Sequence, residues 1–151
     1  MNAAGGRSDE RFKILMLDTL SVFGRLNENF INLIVTIFHC FGEVDAGRIG
    51  LSQGDPYSLE WEVVMLKLAQ EDWVGIEQKG YREYFLKKEY TQTENFKEVL
   101  EELKHKSFYE MREFALHCHY SLIKNNNQQI KSGINELKNL LNMERVGPST
   151  A

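Results

Sequence analysis

The triplet His117-Cys118-His119 is the part of this chain best suited by residue type to hold a metal ion, because imidazole and thiolate both ligate zinc. On a helix, side chains two positions apart point about 200° away from each other, whereas chelating pairs sit four apart. His39 or His105 would have to join from elsewhere, so the triplet reads better as a helix with Cys118 buried and its histidines flanking it. No metal and no cofactor are expected. The glycine-rich segment 47–55 fits neither a phosphate-cradling loop nor a dinucleotide fingerprint and reads as a flexible connection. The chain is therefore not expected to be an enzyme, and no catalytic residue is assigned.

The second concentration of chemistry lies between Gln70 and Tyr90. Lys79, Arg82, Lys87 and Lys88, with Tyr81 and Tyr84, make this the most basic and aromatic segment of the chain. It suits a phosphate backbone or an acidic partner, and the plainer alternative is a solvated hairpin with charges guarding its edge. The preceding segment, SLEWEVVMLKLAQED at 58–72, sets Glu60, Glu62, Glu71 and Asp72 against Lys67, a surface that phosphates would repel. The net charge of −4 points the same way. A protein partner, either another chain or a second copy of this one, is thus favoured, with Trp73, Tyr81 and Tyr84 as aromatic anchors and Glu60 and Glu62 as charged contacts. DNA binding through Lys79, Arg82, Lys87 and Lys88 is the alternative.

Helices must position these groups. Phe12, Leu15, Met16, Leu20 and Phe23 recur at helical spacing from Arg11 onward, and Gly24 suits a C-terminal cap. Asn27 or Asn29 can cap a second helix whose residues 30–41 are apolar nearly all round, which marks the centre of the core. That run is about half of the roughly 20 residues needed to span a bilayer, and no membrane association is expected. Five breakers between Gly42 and Pro56 predict a loop, with a short helical turn at 46–49. Ser58 caps a third helix with Trp61, Val64, Met65 and Leu68 inward, and 73–90 forms an antiparallel hairpin turning at Gly80. Thr91 or Thr93 caps a fourth helix, Ser107 and Glu110 form a capping box for a fifth, and Asn126 or Asn127 opens a last one carrying Ile130, Ile134, Leu137, Leu140 and Leu141. One domain over 11–145 is expected, with disordered ends at 1–10 and 146–151. No secretory pattern is visible, so the cytoplasm is the expected compartment, and Cys40 and Cys118 read as unpaired buried thiols.

Four motifs carry a likeness: FGRL at 23–26, GDPYS at 54–58, LAQEDWV at 68–74 and YFLKKEYT at 84–91. Over residues 11–142 the chain resembles the YwgA-like and Panacea-type (SocA-like antitoxin) winged-helix proteins. It departs from them where Asp55 separates Gly54 from Pro56 and where NENFIN replaces a lysine-rich helix start. The resemblance implies a mainly α fold with one small β-hairpin, a winged helix-turn-helix domain extended by two or three C-terminal helices over 94–142. It further implies a small non-enzymatic adaptor or antitoxin-like regulator, with no active-site residue to carry over.

Overall fold

A computed structural model describes residues 2–126 and 134–141. The elements run α1 (Asn2–Phe23), β1 (Leu26–Asn27), α2 (Glu28–Cys40), β2 (Gly50–Ser52), β3 (Asp55–Tyr57), α3 (Glu60–Gln70), β4 (Val74–Gln78), β5 (Arg82–Leu86), α4 (Lys97–Lys104) and α5 (Phe108–Lys124). A further helix, α6, covers 134–141. The molecule is mainly helical with small antiparallel sheets. Among the described residues no helix is long and apolar enough to cross a membrane. The expected tail at 146–151, the cap at Asn127 and the face position Ile130 lie outside the described residues.

Local chemistry accounts for most boundaries. Gly24, at φ +83°, takes the left-handed turn that ends α1, and its N–H donates to Leu20 O at 2.8 Å. Asn27 caps α2, its side chain accepting from Phe30 N at 3.1 Å. Ser107 and Glu110 close the capping box of α5. Thr91 and Thr93 do not cap α4, which starts at Lys97 without a side-chain cap. Thr93 instead bonds Asp18 of α1 through both its N–H and its hydroxyl, at 3.0 and 2.5 Å.

Helix α2 is the centre of the core, with Ile31, Leu33, Ile34, Val35, Ile37, Phe38 and Cys40 all buried. Helices α1, α3, α4 and α5 contribute Leu15, Met65, Leu103 and Met111 to the same cluster. Phe38 meets Phe96 edge to face at 5.3 Å.

The segment 42–57 departs from expectation. Residues 46–49 form no helical turn, and the expected loop contains a second hairpin, β2–β3, paired Gly50 to Tyr57 and Ser52 to Asp55. Gln53 and Gly54 both hold positive φ, 54° and 86°, which is the two-residue turn whose twist matches antiparallel strands. The glycines there turn the chain as well as interrupting it. The main sheet likewise holds three strands in the order β1-β5-β4, because Leu26 and Asn27 pair with Tyr84 and Glu83.

Candidate functional site

Helix α3 is held from its inner side. Asn32 of α2 accepts from Ser58 N at 3.0 Å and from Trp61 Nε1 at 2.7 Å, so one amide oxygen fixes both the entry and the first turn of α3. Ser58 accepts from Glu60 N at 3.1 Å and donates to Ala46 O at 2.8 Å, tying that entry to the loop after α2. The Trp61 ring then meets Tyr84 of β5 edge to face at 5.3 Å, which locks α3 to the sheet. Trp61, Val64, Met65 and Leu68 are buried.

The outer side of the same helix is apolar too. Leu59, Val63 and Leu66 are 65%, 49% and 54% exposed, and their spacing of four and three residues puts them in one row. A globular chain leaves single apolar residues outside without consequence, but a row along two helical turns marks a surface that meets something. Beside Leu59 and Leu66 on the flank of α3 lies Glu62, which borders a polar cleft of about 310 Å³. Glu28, Asp55, Tyr57, Glu62 and Arg82 are among its lining residues. Arg82 Nε bonds Glu28 at 3.0 Å and its Nη2 bonds Glu62 at 2.7 Å, and these contacts, Glu62 first, raise the guanidinium pKa above its ordinary value. Arg112 of α5 bonds Asp55 and braces the β2–β3 hairpin from the other side.

The structure separates the nine residues singled out from sequence. Tyr84, expected as a contact aromatic, is 1% exposed, and burial pushes its phenol up to about 12. Strand alternation offered both faces of β5 bulky residues, and packing on Trp61 selects this one as the inner face. Trp73 is half-buried, meeting Tyr90 edge to face at 6.1 Å with Lys88 Nζ 4.4 Å above its ring. Tyr81 stays exposed at the hairpin turn. Glu60 is exposed and packs over Gly47, whereas Glu62 faces Arg82.

Of the four expected phosphate-binding cations, Arg82 is shared by two glutamates, Lys87 bonds Asp72 at 2.7 Å, and Lys79 lies 3.6 Å from Glu77. Only Lys88 takes an aromatic face instead of a carboxylate among these four. Arg25, which bonds Glu83 and Glu77 at 2.8 and 2.5 Å, adds its charge to the same hairpin, and the resulting patch is close to electrically balanced.

By letters alone, Gly50-Leu51-Ser52-Gln53-Gly54 matches the Gly-x-Ser-x-Gly nucleophile pattern, which corrects the expectation that 47–55 carries no such motif. That pattern works at a strand-to-helix elbow, and here it spans β2 and the turn of a hairpin. Among the described residues no histidine lines the cleft that Ser52 borders. His117 is exposed and His119 buried on α5, and among the described residues no three His, Cys, Asp or Glu side chains gather to hold a metal ion. Cys40 and Cys118 are both buried, and neither forms a disulfide among the described residues.

Sequence reasoning missed Leu59, Val63 and Leu66, together with Asn32, Asp55 and Arg112. A signal for the first three was present: α3 with its entry, LEWEVVMLKLA, carries more apolar residues than one inward stripe of a helix can use. No protein-family model, no curated protein and no solved structure matches the chain. The surface is therefore read from this chain's own geometry.

Proposed function

We propose that this protein is a non-enzymatic interaction module built on a winged helix, and that α3 is the face it presents to a protein partner. The order helix, strand, helix, hairpin, helix, hairpin, with β1 completing the sheet β1-β5-β4, supports the winged-helix reading once β2–β3 is taken as an insertion between the second and third helices. In that arrangement α3 takes the place of the recognition helix and β4–β5 that of the wing. The observation that carries the proposal is the exposed row Leu59, Val63 and Leu66, where a groove-reading helix would carry donors and cations. A regulator of the antitoxin-like kind implied by the family resemblance would use such a face to hold its target.

The DNA-binding alternative is weakened by the pairing of Arg82, Lys87 and Lys79 with carboxylates. Titration against a mixed-sequence duplex at low and moderate salt separates the two readings. No binding is expected at low salt. Binding with a steep salt slope that Lys79→Ala and Lys88→Ala reduce would transfer the function to DNA.

A further inference from the structure

The proposed face has a chemical asymmetry that specifies its partner further. Along one flank of the apolar row lies the cleft whose lining holds Glu28, Asp55 and Glu62 against the single guanidinium of Arg82. Arg112 answers Asp55 from behind, so Glu28 and Glu62 are left sharing one cation. The Tyr57 ring forms another part of the wall, an amphipathic surface on which a long cationic side chain can lie. At about 310 Å³ the cleft has room for such a side chain. An anionic group would be repelled by the carboxylates, and an apolar one would strip water from the carboxylate lone pairs that Arg82 leaves unmet.

Resting on the reading of α3 as a protein-contact face, we propose that the partner docks an amphipathic helix whose apolar side chains, spaced i, i+4 and i+7, lie along Leu59, Val63 and Leu66. A lysine or arginine of that helix enters the cleft beside Glu28 and Glu62. The row spans about 10 Å of helix axis, two turns, which a second helix can follow by packing its ridges along α3. The cleft flanks the first turn of α3, where Trp61 and Glu62 line it, so charge complementarity toward that end fixes the direction in which the docked helix lies, since an apolar row alone reads nearly the same both ways.

The test is a displayed library of helical peptides panned on the 151-residue chain and counter-selected on Leu66→Glu, whose fold is checked by far-UV circular dichroism. Selected peptides are expected to share the apolar spacing and to carry Lys or Arg at one end. Changing that residue to Glu should weaken binding about tenfold or more, a comparison made entirely on the peptide and independent of how any variant folds. Glu28→Gln in the protein should weaken the original peptide and not the reversed one. Peptides that require Leu66 but carry no cation, or that tolerate its reversal, would overturn this inference and leave the proposed protein-contact face standing. Failure to recover any peptide sensitive to Leu66→Glu would remove both. Self-association of the protein abolished by Leu66→Glu would assign the row to a second copy and overturn the inference as well.

Discussion

Asp18 is fully buried on α1, yet it accepts from Tyr90 Oη at 2.7 Å and from Thr93 through two further bonds, so one carboxylate pins the segment between the sheet and α4. Replacing it leaves two half-buried hydroxyls, those of Tyr90 and Thr93, and the Thr93 N–H without this acceptor, and Asp18→Ala is expected to cost about 3 kcal/mol in urea unfolding. A loss below about 1 kcal/mol would mean that water takes over those bonds. Histidine sets the acid side of stability. Burial lowers the pKa of His39, with Asp45 opposing and His119 adding to the shift, and burial alone lowers that of His119. His39 Nδ1 accepts from Ala46 N at 3.0 Å, which requires the neutral ring, and His119 Nδ1 is buried without a hydrogen-bond partner among the described residues. Because both folded values lie below the unfolded one of about 6.5, the unfolded chain binds protons first as pH falls. Stability is therefore unaffected above that value and declines below it, until the folded histidines titrate. Melting temperature should fall between about pH 7 and pH 5, and His119→Gln should fall less steeply over the same interval. Asp72, Glu77 and Glu110, whose pKa values are lowered by Lys87, Arg25 and the Ser107 backbone respectively, add their own losses only at lower pH.

At the scale of elements, helices were legible because their ends carry side-chain chemistry, as Asn27, Gly24 and the pair Ser107 and Glu110 show. The capping box makes a clean test: Ser107→Ala should cost about 1 kcal/mol, and Ser107→Asp very little. Short strands were less legible. Leu26–Asn27 and Gly50–Ser52 are too brief to show a period of two, and only their partners across the sheet define them. The inward row of α3, Trp61, Val64, Met65 and Leu68, was legible from its spacing, and Asn32 holds Trp61 there. The second row, Leu59, Val63 and Leu66, was not read as a surface because Glu60, Glu62 and Lys67 interleave with it and draw attention to charge. The two rows of α3 should consequently separate in mutagenesis. Trp61→Ala, which empties a fully buried site, is expected to cost about 3 to 5 kcal/mol, whereas Leu66→Ser should change stability by less than about 0.5 kcal/mol. A large destabilisation by Leu66→Ser would show that this side chain is already covered in the free protein.

Across the whole molecule one cluster joins the elements. Buried residues of α1, α2, α3, α4 and α5 and of the sheet pack around α2, and no linker divides that cluster between 11 and 126. Links outside the cluster cross the same elements: Arg11 bonds Glu43 while lying 4.9 Å over Phe96, and Lys13 reaches Glu71 at 3.3 Å. Such an arrangement predicts a single cooperative transition, and the chain carries suitable reporters. Its two tryptophans, Trp61 and Trp73, report on α3 and the hairpin, while far-UV circular dichroism is dominated by helices elsewhere. Urea transitions followed by the two signals should coincide. Phe38→Ala makes the stronger version of the test, because Phe38 is fully buried on α2 and its ring meets Phe96 at the N-cap of α4. Removing it from the contact with Phe96 should cost about 3 to 5 kcal/mol and move both transitions to lower urea by the same amount. Coincident displacement would mean that the proposed contact face on α3 unfolds together with the core beneath it. If the circular dichroism midpoint moved while the fluorescence midpoint stayed, α3 and its hairpin would form a separate folding unit, and a partner would then meet a face whose order is independent of α5.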